Sequence, residues 1–212
     1  MLQIKQFEFN PIEENTFLVF DETKEAVIID CGAYYEEEKE ILKKYISEKK
    51  LSLKRLLNTH LHLDHSFGNK FIYDTYGIVP EYHQSEENIP SLEEQAAAFG
   101  FKIDNGNACA KKYIKDGDII SFGHTNLEAI LVPGHSPGGL CFLSTKDKVL
   151  FSGDVLFQGS VGRSDLWGGN YQQLISGIKN KLLILSDETV VYPGHGSATT
   201  IGKEKQNNPY LI

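Results

Sequence analysis

Three histidines and an aspartate fall within six residues, His60-Leu61-His62-Leu63-Asp64-His65. Four side chains of metal-binding type this close together have to be gathered round something they share. A chance H-x-H-x-D-H in a chain of this composition is on the order of one in a few thousand. In an extended segment alternate side chains point the same way, so His60 and His62 offer nitrogens to one cation at roughly 2.0–2.1 Å. Asp64 and His65 are consecutive and reach a second point only if the chain turns there, as on entering a helix. No cysteine lies in the cluster, which favours an open catalytic site over a structural zinc closed by thiolates.

The surrounding pattern sets where such a site sits. Residues 3–9, 16–21 and 26–30 read as short strands of a meander. Residues 34–50 carry Ile41, Leu42, Tyr45 and Ile46 at helical spacing among Glu and Lys, an amphipathic surface helix. Residues 53–57 are a strand candidate running straight into the histidine cluster, and residues 67–76 have helical spacing that stops at Gly77. Residues 127–132, 140–144, 149–151 and 189–192 are further strand candidates, residues 92–99 and 171–185 helices, and Lys203 and Lys205 surface charges on a short terminal helix. Asp104 to Asn107 is turn-rich, and the stretch 84–112 is a candidate substrate-side flap. No internal repeat is present. The expected architecture is α+β: a four-layer αββα sandwich, two mixed sheets packed together with helices outside, forming a single domain over residues 1–212.

Three more loops repeat one layout. Val132-Pro133-Gly134-His135-Ser136-Pro137-Gly138, Phe151-Ser152-Gly153-Asp154 and Tyr192-Pro193-Gly194-His195-Gly196 each place one ligand-type side chain beside glycine at the end of a predicted strand. Glycine lets the backbone turn sharply and leaves room for an incoming group.

On these motifs the chain resembles the metallo-β-lactamase superfamily, and its spacing is similar to the glyoxalase II (hydroxyacylglutathione hydrolase) branch. The run from Gly194 to Gly202 and the residues after it resemble the short, single-domain members. The resemblance implies that one metal takes His60, His62 and His135, a second takes Asp64, His65 and His195, and Asp154 bridges them. It also implies that Asp30 supports the site by hydrogen bonding without ligating, and that Arg163 contacts substrate, as the basic residue for glutathione does in that branch. A salt bridge with Asp165 is the competing role for Arg163.

The implied cofactors are two divalent metal ions, with zinc expected and iron or manganese compatible with the same donors. Cations roughly 3.5–4 Å apart lower the pKa of a shared water towards about 7, so the expected nucleophile is a bridging hydroxide. A thiolate leaves without a strong general acid, which makes thioesters such as S-2-hydroxyacylglutathione the expected substrates. Asp64 and Asp154 are the catalytic candidates, Asp64 carrying a proton as well as binding metal. The alternatives are a persulfide dioxygenase with one iron on His60, His135 and Asp154, and hydrolysis of another ester, a lactam or a phosphodiester.

A formal net charge of −8 speaks against tracking a nucleic-acid backbone. No apolar run approaches the roughly 20 residues needed to cross a bilayer. Three cysteines, Cys31, Cys109 and Cys141, make no disulfide framework, and a cytoplasmic protein acting on a small molecule is expected. His83 and His124 fall outside ligand spacing, and Cys31 reads as a small buried residue. Phe157, Trp167 and Tyr171 either line the cleft or belong to the packing.

Overall fold

The computed structural model describes residues 1–103 and 111–212. Strands β1 (Gln3–Phe9), β2 (Glu14–Phe20) and β3 (Glu25–Ile29) form the meander, and helix α1 (Glu36–Glu48) crosses to β4 (Ser52–Leu57). The short α2 (Leu63–Ser66) and α3 (Asn69–Tyr76) lead to β5 (Pro80–Tyr82), a 3-10 turn at Gln84–Asn88, α4 (Leu92–Phe99) and β6 (Lys112–Tyr113). The second half runs β7 (Ile119–Phe122), β8 (Thr125–Leu131), β9 (Leu140–Ser144), β10 (Val149–Gly153) and a small hairpin, β11 (Leu156–Phe157) with β12 (Ser160–Val161). Helix α5 (Tyr171–Gly177), β13 (Val190–Pro193), β14 (Thr199–Thr200) and α6 (Ile201–Asn207) complete it.

Both sheets are mixed, as expected. One has the order β1-β2-β3-β4-β5-β6, the other β14-β13-β10-β9-β8-β7. Alternation along the central strands explains the four layers. Phe17, Val19, Val27 and Ile29 of the first sheet meet Leu127, Ala129, Phe142 and Phe151 of the second. Their neighbours in sequence, Leu18, Phe20 and Ile28, turn outward onto Leu42 and Ile46 of α1 and Ile72 of α3. Ile130, Cys141, Leu143 and Leu150 likewise face Leu174, Ile178 and Ile201 on the other side. Strands covered on both faces read as continuous apolar runs. Each such side chain contributes roughly 1.5–3 kcal/mol on burial.

Strand direction gathers the loaded loops on one rim. β3 and β4 are parallel, as are β10 and β13, and β8 reaches β10 through the antiparallel β9, so β8 and β10 run the same way. The loops after β3, β4, β8, β10 and β13 carry the candidate residues. Backbone bonds tie the sheets at that rim, among them Leu140 N–H to Thr59 O (2.8 Å) and Asn15 N–H to Gly194 O (2.7 Å).

Several boundaries differ from expectation. The helix read over 67–76 starts at Asn69 as α3, separated from the short α2 at Gly68, which passes so close to Cys31 that a Cβ there would lie 2.4 Å from its Sγ. The helix read over 171–185 ends as α5 at Gly177 and continues through a π turn, Ile178–Leu182. The expected flap is largely a buttress: Glu86 and Gln95 are buried and bonded to the histidine loop, with details below. The turn read at Asp104 to Asn107, and Cys109, lie outside the described residues. No helix among the described residues is long and apolar enough to cross a membrane.

Candidate metal centre

Five imidazoles and two carboxylates from four loops meet at the rim. His60 and His62 follow β4 in extended backbone, and the chain turns into α2 at Leu63, which swings Asp64 and His65 to the other side. His135 follows β8, Asp154 follows β10 and His195 follows β13. The nitrogens of His60, His62 and His135 form one set: His135 Nε2 lies 3.2 Å from His60 Nε2 and 2.9 Å from His62 Nδ1. Asp64, His65 and His195 form another, with His195 Nε2 3.1 Å from Asp64 Oδ2 and 3.3 Å from His65 Nε2. Asp154 lies between them, Oδ1 3.4 Å from His65 Nε2, and Oδ2 3.6 Å from His135 Nε2 and 3.7 Å from His195 Nε2.

The outer nitrogens decide what the inner ones can do. His65 Nδ1 donates to Asp30 Oδ2 at 3.0 Å, His135 Nδ1 to Arg163 O at 2.7 Å, and His195 Nδ1 to Ile12 O and Glu13 O at 3.1 and 3.2 Å. His60 Nδ1 faces Thr59 Oγ1 at 2.9 Å, and the Thr59 hydroxyl proton is committed to Asp30 Oδ2 at 2.7 Å, so the imidazole is the donor there too. A neutral imidazole that donates from Nδ1 has a bare lone pair on Nε2. On His60 and His135 such lone pairs meet with no proton between them and call for a cation, while the outer nitrogen of His62 is buried without a partner. Asp154 Oδ1 is also buried with no hydrogen-bond partner. The donors present fit a pair of divalent metal ions, one on each set with Asp154 shared.

Before any cation binds, electrostatics separate the two sets, leaving the first neutral and favouring the charged form of His65 in the second. Burial and the neighbouring imidazoles hold His60 well below its ordinary pKa, burial and His135 lower His62 to about 3, and burial lowers His135. These three are neutral ligands-in-waiting. Burial opposes charge on His65 and on Asp154, yet their mutual attraction outweighs it: Asp64, Asp154 and Asp30 raise His65, while His65 and His135 lower Asp154.

Asp30 takes the expected supporting place. It accepts the Thr59 N–H at 2.7 Å besides the two bonds above, and it does so from left-handed backbone, φ 54°, unusual for a residue other than glycine. Gly194 is required by closeness: a Cβ there would lie 2.3 Å from Asp154 Oδ1 and 2.6 Å from His65 Cε1. Arg163 is exposed, and its guanidinium grips Asp165 twice, at 2.7 and 2.8 Å. Its link to the centre is its carbonyl. His124 is on the surface, His83 caps the Gln84–Asn88 turn, and Cys31 is buried.

Sequence reasoning missed the residues that hold the loops. Glu86 accepts the N–H groups of Leu61 (2.8 Å) and Gly138 (2.6 Å), and Gln95 accepts the N–H of Leu63 (3.0 Å) while donating to Leu61 O (3.0 Å). Asn15 Nδ2 donates to Pro193 O and Gly196 O at 3.0 and 2.9 Å. Glu14, fully buried, lies 4.0 Å from His65 Nδ1, and burial raises its pKa. None of these belongs to a motif, because each acts on backbone or on a neighbour distant in sequence.

A profile of the metallo-beta-lactamase superfamily matches residues 10–195. The chain belongs to that superfamily. This superfamily member is a metallohydrolase, and it is similar to the hydroxyacylglutathione hydrolase GloC of Haemophilus influenzae, 41% identical over 203 residues that cover 94% of this chain and 93% of that one. Its fold matches the BLEG-1 B3 metallo-beta-lactamase with a TM-score of 0.86 at 32% identity, covering 99% of this chain and 100% of that one. It matches TTHA1623 in a di-iron-bound form with a TM-score of 0.87 at 33% identity, covering 98% and 100%.

Proposed function

We propose that residues 1–212 act as one domain that hydrolyses thioesters of small molecules, of the S-2-hydroxyacylglutathione type, with two divalent cations, zinc foremost. The observation that carries this is the pair of donor sets sharing Asp154, with the Nε2 atoms of His60, His65, His135 and His195 turned inward by bonds on their Nδ1 atoms. The likeness to GloC supports the thioester, and the di-iron-bound TTHA1623 supports a two-cation centre that accepts iron as well as zinc. His60, His62 and His135 would hold one cation, Asp64, His65 and His195 the other, and Asp154 both. Bound there, the cations would polarise the scissile carbonyl and activate water at neutral pH.

The chain's own residues do the rest. Asp30 and Thr59 keep His65 and His60 in the ligating tautomer, and the Arg163 carbonyl does the same for His135. Asp64 is the residue we assign to carrying a proton, since its Oδ2 lies 3.1 Å from His195 Nε2 within the second set. A thiolate departs without further help from an acid. Glutathione remains the first thiol to test, with Arg163 in reach only if its grip on Asp165 is released. Cys31 and Cys141 are buried and free, which suits a reducing compartment, the cytoplasm.

The test is metal quantification on protein purified without added metal, followed by a panel of thioesters, persulfides and a β-lactam. Two metals per chain and turnover of thioesters are expected, with turnover lost in Asp154→Ala. One iron per chain with oxygen uptake on persulfide would replace this reading with the dioxygenase one, and lactam turnover alone would replace it with a lactamase.

A further inference from the structure

Two aromatic rings stand beside the centre and are not needed to build it. The ring of Trp167 lies 6.2 Å from that of His62 at 66°, and the ring of Phe99 lies 5.8 Å from Trp167 at 80°, an edge-to-face pair. Phe99 is 48% exposed at the C-terminal end of α4, so it is not part of the core. Trp167 is half-buried, and it is the single tryptophan of the chain.

Both rings are held relative to the metal ligands. Phe99 follows Gln95 by four residues and shares its helix face, and Gln95 is bonded to Leu61 and Leu63 on either side of His62. Trp167 belongs to a segment bonded to the other histidine loop through Asn170 N–H to Gly134 O, at 2.7 Å, and its neighbour Gly168 rests against Pro137. The wall is therefore set in place before a substrate arrives. The nearest charges in sequence offer it no fixed partner: Arg163 and Asp165, close to Trp167, neutralise each other, and Lys102, three residues from Phe99, is exposed.

We infer that Phe99 and Trp167 form a substrate-facing aromatic wall beside His62 that takes an uncharged, apolar acyl group. This rests on the thioesterase reading, which it deepens: two uncharged rings offer a charged thiol half no partner, so the apolar acyl half lies on the wall. The preferred substrates are thioesters whose acyl group is a longer aliphatic or an aryl chain, beyond a two- or three-carbon one. Phe99 and Trp167 are specificity-determining residues and take no part in bond breaking.

The experiment uses the metal-loaded chain. For thioesters of one thiol with acyl groups lengthened one methylene at a time, kcat/KM should rise about fourfold per methylene, the transfer value of a CH2 leaving water. The gain should lie in KM. The matching n-alkyl carboxylates should bind in the same order and change the fluorescence of Trp167. Trp167→Ala and Phe99→Ser should flatten both slopes with metal per chain unchanged, and Trp167→Phe should keep them. Slopes that survive in both polar variants, or carboxylate affinities independent of chain length in the wild type, overturn the wall. Absence of any thioester turnover in the wild type, with the carboxylate slope intact, would overturn the thioesterase reading and leave the wall standing.

Discussion

The Glu86 carboxylate accepts the backbone N–H of Leu61 at 2.8 Å across 25 positions of sequence. Its other oxygen takes the N–H of Gly138, so one buried side chain joins the loop of His60 and His62 to the loop of His135.

Glu86→Ala leaves two buried N–H groups without partners, at roughly 1–3 kcal/mol each. The expected result is a lower midpoint in urea unfolding and a weaker hold on one of two metals, with Glu86→Gln falling between. Calorimetric metal titration reads the second effect. A variant that binds both metals with unchanged affinity would show that the loops are held by other means.

Asp30→Asn keeps the shape of the residue and removes the charge that fixes His65 and, through Thr59, His60. Loss of such a supporting partner costs about 10- to 100-fold in metal affinity or activity. Competition with a chelator measures it, and an affinity within twofold of the wild type counts against the role assigned to Asp30.

Asp154→Ala removes the group common to both donor sets. Metal content should fall below two per chain, and the stabilisation that added zinc gives the wild type in thermal unfolding should shrink with it. An equal thermal shift in both proteins would separate Asp154 from metal binding.

Asp21 provides a pH test remote from the centre. Its buried carboxylate accepts the N–H groups of Thr23 (2.9 Å) and His124 (2.6 Å) and the hydroxyl of Thr125 (3.0 Å). Burial opposes the charge, but these bonds prevail and lower its pKa to about 2. The unfolded value is about 3.9. The stabilisation is therefore complete above about pH 4 and is lost as the pH falls through about 2. Wild type minus Asp21→Asn, compared by urea unfolding at neutral pH and at about pH 3, should narrow on acidification; a gap that stays constant contradicts it.

How much of this was legible in the sequence follows from what each residue does. His60, His62, Asp64 and His65 declared themselves because ligation restricts residue type and spacing at once, and His135, Asp154 and His195 because a strand end beside glycine leaves few other uses. Strands β2, β3, β9 and β10 were legible because both faces of each are buried, and β1 because its apolar residues alternate. Glu14, Asn15, Glu86 and Gln95 were not: each is polar beside a turn, like many surface residues, and its purpose is a backbone group far along the chain. The break at Gly68 was hidden for the same reason, since Cys31, which crowds it, is 37 residues earlier. Strands β5, β6 and β14 are two or three residues long and carry no period to read.

The bond from Asn15 to Gly194 joins a strand made early in synthesis to a loop made near its close. Imidazole nitrogens that touch in the finished protein, on His65 and His195, are 130 positions apart. A ribosome must therefore release nearly the whole chain before the second donor set is complete, since a chain halted before His195 carries only Asp64, His65 and Asp154 of it. Closure of the second set thus waits for the loop at His195, and a nascent fragment halted before that position is expected to bind metal less tightly than the whole chain.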